Sequence, residues 1–480
     1  MLLILANVVT QNLNNPSIWL ESYQESAIKD RYQMLMDILQ EPLTREWRQE
    51  IDWSEILIQM SDEVQSCNRH QDMLALVELM REKQSKFYKQ EFAFYDRFVV
   101  QYALYNQDDD LLQTGLDHFK QYPGRDIEML FVILDFLVFY EQTEKAIKLA
   151  NTVYPKILSD RDLDSGLAQE LAWLVITNDL QQIYNQKQQG NPLNWQQHQF
   201  QLQNYDFNLE KEWLDRVQNA IDQGFDPDNF LSLFKRSKFQ PQAFLMLSIA
   251  FYSYLQTNYQ MSFCCAQRIW SNICSFWDTR ELKAKQQTNP NTFFGFAKPE
   301  LEKYLTQKIF NPFSLKQAEG FATLWGLPYL YEFLLDQGII REPIYKKAIA
   351  IVEGLKTELL ASYKNSCELW RYDFVNRWPT DRATTDQLAQ AKREKFQASF
   401  ESSELLSDVP GEGHLEQMLD TLADKFGSDV VDTKSATETN EDALEPEPTT
   451  SEPQPTLTRQ KSQKKKKKSN LGLAAKLYSN

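Results

Sequence analysis

Over the first 400 residues, apolar side chains recur at helical spacing almost without a break, and only 14 glycines serve the whole 480-residue chain. Doubly wound α/β folds and sheet-rich folds use glycine at tight turns and close backbone approaches, so this shortage points to helices. Hydrophobic residues at 42% supply enough apolar surface to cover one side of each helix. The chain exceeds the length at which one hydrophobic core stops growing, which leaves two folded parts or one elongated array. The expected class is all-α.

Turn signals cut the pattern at residues 122–124 (YPG), 189–192 (QGNP) and 225–229 (FDPDN). Helix starts are legible in Thr143 before EKAIKLANTVY, in Pro299, in the capping-box pair Ser314 and Gln317, and in the acids at 108–110, which suit a helix N-terminus. Two apolar runs, 129–140 and 243–255, are shorter than the roughly 18 to 20 residues a bilayer demands, and the first contains Asp135. Both are expected as buried core helices, with no integral membrane insertion. The opening MLLILANVV has no basic residue before it and no small-residue cleavage pattern after it, so no signal peptide is expected.

Between residues 65 and 160 three segments share a plan of polar turn followed by amphipathic helix: NRHQDMLALVELMREKQ from Asn68, NQDDDLLQTGLDHFKQYPG from Asn106 and YEQTEKAIKLANTVYPK from Tyr140. The last two superpose with Pro123 on Pro155, a period of 32 residues, and more apolar helices lie between them. A two-helix unit of this length, the second helix ending in proline, resembles a tetratricopeptide-type repeat. Ala146 and Pro155 stand at its small-residue and terminal-proline positions, while its Trp and Leu-Gly pair are missing. The resemblance implies a helical-hairpin solenoid whose exposed face receives a protein partner. Residues 1–195 are read as this repeat region and 196–400 as a second helical region or a continuation, with 283–299 as the best internal loop or boundary.

Past residue 400 the composition changes. Residues 401–458 hold fifteen acids against Lys425 and Lys434, which cannot bury enough apolar surface to offset ordering entropy, so a disordered acidic linker is expected. Within it, 413–427 places Leu415, Met418, Leu419, Leu422 and Phe426 on one helical face, opposite Glu416, Asp420 and Asp424. Such a helix folds only when covered, either on the body or in the groove of another protein. The tail, 459–480, carries eight basic residues and no acid, five of them in the block Lys464, Lys465, Lys466, Lys467 and Lys468. That block suits a polyanion such as nucleic acid, the acidic linker tethered beside it, or a membrane surface.

Signatures of catalysis are missing. No phosphate-binding glycine loop, nucleophile elbow or HExxH occurs, and the four histidines, His70, His118, His198 and His414, are far apart in sequence. Residues 160–166 (DRDLDSG) space carboxylates as a calcium loop does, but Gly166 falls at position seven and Glu170 at eleven, one off in each case, so a capping turn is expected. The five cysteines form no CxxC pair and read as free thiols of a reducing, cytoplasmic protein. Neither cofactor nor metal is expected. The expected function is a non-enzymatic adaptor, with nucleic-acid or ribosome contact through the lysine block as the alternative.

Overall fold

The computed structural model describes residues 15–66, 69–160, 165–198, 211–236, 240–309 and 317–363, with single positions between some of these. The acidic linker, the stretch 413–427, the basic tail, Ser314 of the capping box, and Cys67, Cys367 and His414 lie outside the described residues. Among the described residues, helices are the only regular elements.

The N-terminal part runs α1 (Pro16–Glu25), α2 (Ile28–Ile38), α3 (Arg45–Glu50), α4 (Trp53–Ser66), α5 (His70–Lys83), α6 (Ser85–Asn106), α7 (Asp109–Gln121), α8 (Ile127–Phe139), α9 (Thr143–Ser159) and α10 (Ser165–Gln188). It continues with α11 (Lys211–Gln223), α12 (Pro227–Phe234), α13 (Gln240–Tyr259), α14 (Phe263–Asp278), the single turns α15 (Ala284–Gln287) and α16 (Pro290–Phe293), α17 (Lys298–Ile309), α18 (Gln317–Asp336) and α19 (Glu342–Tyr363).

Local chemistry starts these helices where capping residues stand. The Asp108 carboxylate accepts from the Leu111 N–H at 2.9 Å, Asp126 from Met129 at 3.1 Å and Asp226 from Asp228 at 2.9 Å, each satisfying a donor that the first helical turn leaves orphaned. The apolar run at 129–140 becomes α8 and that at 243–255 lies inside α13, both buried. No helix among the described residues is long and apolar enough to cross a membrane.

Helices from α4 to α10 pack chiefly on their sequence neighbours. α6 lies along both α7 and α8, and α9 along both α8 and α10. α6 and α7 meet at Gly115, where an added Cβ would stand 2.9 Å from Val100 Cγ2.

The helix α14 departs from that nearest-neighbour order. It packs against α13 and α18 and also against α8 and α10, more than 70 residues away in sequence, and Trp270, Ile273, Cys274 and Phe276 on it are fully buried. Its Arg268 meets Asp135 of α8 at 3.0 Å, which accounts for the lone acid in an apolar run. Burial raises that carboxyl to about 6 against the pull of Arg268.

Two sequence expectations are corrected. Pro155 does not stop α9, which continues through it to Ser159, because Val153 and Ile157 are buried against the neighbouring helices and hold the last turn in place. The segment 283–299 is not an open loop. Phe293, Phe294 and Phe296 are buried, Phe293 and Phe294 meet Trp277 edge to face at 5.5 and 5.2 Å, and α15 and α16 shape the chain between.

Candidate functional site

The turn between α8 and α9 meets the turn between α13 and α14, and each carries a constrained backbone position. Three non-glycine residues among those described take a left-handed conformation: Gln107, Glu141 at φ 54° and Gln260 at φ 58°. Glu141 follows the last turn of α8 and Gln260 ends α13, positions that glycine normally fills because a Cβ is disfavoured there.

What retains a side chain at Glu141 is the start of α14. Its carboxylate accepts the Ser262 N–H at 3.2 and 3.4 Å, the Gln181 side chain accepts the Phe263 N–H at 2.9 Å, and the Ser262 hydroxyl accepts the Cys265 N–H at 3.2 Å. Thr143 joins through its hydroxyl, 3.2 Å from that of Ser262. Three separate elements thus cap α14, and a carboxylate sits at the positive end of its dipole. Glu141 is an exposed residue as a whole, yet desolvation of its carboxylate at this junction raises its pKa despite the Ser262 hydrogen bonds.

From the junction a polar trough runs between the antiparallel helices α9 and α10. One hollow, about 480 Å³, is bounded by Glu141, Glu144, Gln181, Gln256 and Gln260. A second, about 580 Å³, is bounded by Glu144, Lys148, Asn151, Asn178 and Gln182. Glu144 and Asn178 border both hollows. The lining is mainly side-chain amides and unpaired charge. Among the described residues, neither Glu144 nor Lys148 has an ion-pair partner. The Gln256 Nε2 donates to Asn185 Oδ1 at 2.7 Å, which leaves Gln256 Oε1 buried with no donor. Pro155 contributes as well: lacking an N–H, it leaves the Asn151 carbonyl without its helical donor on the exposed side of α9.

Beside the trough on α10, burial alone raises Asp179 to about 6, with no partner among the described residues to offset it. A carboxyl raised on folding binds protons more tightly in the native state, so stability declines as pH rises from about 4 to about 6 and stays low above that. Asp179→Asn is expected to stabilise the protein at pH 7 by about 1–2 kcal/mol after discounting for partial exposure, and to flatten that decline. Thermal melts at pH 4.5 and 7 test this; equal shifts at both pH values would refute it.

Other charged side chains find partners within the fold. Asp96, wholly buried, receives Arg81 Nη2 at 2.6 Å, the Tyr88 hydroxyl, and His118 Nδ1 at 3.0 Å. Arg31 and Glu63 form a buried pair at 2.8 Å beside the ring cluster of Trp19, Tyr23, Trp47 and Trp53. No group of three His, Cys, Asp or Glu among the described residues could hold a metal ion. Burial pushes the Cys264 thiol up to about 12 and those of Cys265 and Cys274 well above their ordinary value, which removes thiolate reactivity. A cavity of about 320 Å³ between α10, α11, α13 and α18 is walled by Phe225, Tyr254 and Phe333.

The sequence-derived candidates, Leu415, Met418, Leu419, Leu422 and Phe426 together with Lys464 to Lys468, lie outside the described residues. The trough residues escaped sequence reading because each is an ordinary polar residue on a helix. The available signals were Glu141, where a helix end would take glycine, and a proline inside an amphipathic pattern. No protein-family model matches the chain, and no curated protein or solved structure is significantly similar to it.

Proposed function

We propose that the protein is a non-enzymatic adaptor whose body, built of tetratricopeptide-like helical hairpins, holds a protein partner in the trough between α9 and α10. The observation that supports this most is that Glu144 and Lys148, both without ion-pair partners among the described residues, line adjoining amide-rich hollows. Desolvating unpaired charge is costly unless a partner replaces the water, so such a surface suits a polar, complementary chain. The free buried thiols of Cys264, Cys265 and Cys274 fit a reducing compartment, here the cytoplasm.

An affinity pull-down with and without nuclease tests the reading. A stoichiometric protein that survives nuclease and is lost from the Asn178→Arg variant supports it; recovery that depends on nucleic acid overturns it. The lysine block favours a second reading, contact with nucleic acid. If that contact is real, deleting residues 459–480 abolishes retention on heparin, and retention of the full chain falls steeply between 50 and 200 mM salt as the entropy gained by releasing condensed counterions shrinks. Retention unchanged by the deletion would remove this reading.

A further inference from the structure

Resting on the adaptor reading, we propose that the trough takes an extended peptide strand, gripped through its main chain, with a basic side chain towards Glu141 and Glu144 and an acidic one towards Lys148. One main-chain acceptor on α9 lacks its donor: the Asn151 carbonyl lost it to Pro155. That site calls for an N–H group. A helical ligand offers few such groups because its own carbonyls consume them, whereas an extended strand presents N–H and C=O groups along its length.

The side-chain amides fit the same ligand. Asn178 and Gln182 stand four residues apart on α10, on one helical face, opposite Asn151 of α9. A primary amide both donates and accepts, so each can pair with a peptide unit independently of the side chain that unit carries. From Glu144 to Lys148 the helix advances about 6 Å, which corresponds to about two residues of extended chain and keeps both peptide side chains on one face of the strand. Side-chain preference then comes from charge. The end near Ser262 carries Glu141 and Glu144 and the middle carries Lys148, so a basic and an acidic residue about two positions apart complement it. The two carboxylates also repel a phosphate backbone, which separates this surface from the lysine tail.

The test uses the full chain and immobilised capped hexapeptides Ac-X-Lys-X-Glu-X-X-NH2, degenerate at X, with the binders re-measured in solution by fluorescence anisotropy. Binding is expected in many X contexts, and methylating alternate backbone nitrogens of a binder should weaken it by about tenfold or more, because each methyl removes a main-chain donor. Exchanging Lys and Glu should weaken it roughly fivefold, with Glu144→Gln abolishing that difference. Pro155→Ala, which returns an N–H to Asn151, should weaken binding roughly threefold with an unchanged or higher melting temperature, a result that separates the trough from loss of fold. N-methylated peptides binding as tightly as their parents would overturn the proposal, and so would a library without a saturable binder below about 1 mM, the weak limit for a short specific peptide. If peptides bind as described and the pull-down yields no partner, the adaptor reading falls and this one stands. A nuclease-resistant partner released by Asn178→Arg, in a protein that binds no hexapeptide, gives the reverse outcome.

Discussion

Replacing Arg280 by alanine is expected to lower stability by about 3–5 kcal/mol, because it orphans buried main-chain acceptors and leaves a gap among aromatic rings. Arg280 follows α14 and is 3% exposed. Its Nη1 donates to the Phe293 carbonyl at 2.5 Å, its Nη2 to the Gly295 carbonyl, and its Nε meets Glu300 at 3.3 Å. The carbonyl between those two, on Phe294, accepts from the Tyr331 hydroxyl. Three successive carbonyls of an irregular segment are therefore satisfied by side chains of the elements on either side, and this is how Phe293, Phe294 and Phe296 are kept inside without a regular backbone. Arg280→Lys keeps the charge but not the fork of donors, and should lose roughly half as much. Limited proteolysis with trypsin locates the effect. Cleavage after Lys283 or Lys285 in the alanine variant should accelerate before the rest of the body opens. An alanine variant within 1 kcal/mol of the parent in chemical denaturation would show that the clamp contributes little.

That clamp also shows where sequence reading stops. The polar, proline-bearing character of KAKQQTNPNT is the composition of a surface loop, and nothing local announces that an arginine upstream and a tyrosine 37 residues downstream of Phe294 hold the next few residues in the core. Helical class was legible because it depends on periodicity and glycine content, which are properties of each segment alone. The Asp108 cap and the core helices α8 and α13 were legible for the same reason. The central role of α14 was not, since its neighbours α8 and α10 are distant in sequence and are joined to it by long-range contacts such as the Arg268–Asp135 pair, the Glu141 cap and the Gln181 side chain. Pro155 misled for a physical reason. A proline forbids one hydrogen bond, but it ends a helix only when burial of the following turn does not compensate, and Ile157 is buried. The trough followed from that same exception, since its freed carbonyl exists only because the helix continues.

Gly326→Val is expected to destabilise the protein by about 3 kcal/mol, and Gly326→Ala by about 1–2 kcal/mol, with the better helix propensity of alanine offsetting part of the overpacking. Gly326 lies in the interior of α18, where glycine costs helix stability, so its presence needs a packing reason. A Cβ at this position would stand 2.4 Å from Ile269 Cγ2 and 3.5 Å from Ile269 Cβ on α14. Ile269 is itself fully buried, branched at Cβ and restricted in its rotamers, so it cannot swing clear. The glycine therefore sets how closely α18 approaches α14, and through α14 it sets the position of the Ser262 turn that closes one end of the trough. The decisive measurement is a double-mutant cycle. Ile269→Ala alone should cost about 2–4 kcal/mol as a cavity, while in the Gly326→Ala background it should cost about 1 kcal/mol less, since the new methyl group occupies space that the isoleucine vacated. Strict additivity of the two changes would mean that the helices do not meet through this pair. A double variant that loses about 1 kcal/mol less than the two single changes together, with peptide binding weakened in Gly326→Val, would tie the α14–α18 crossing to the geometry of the trough.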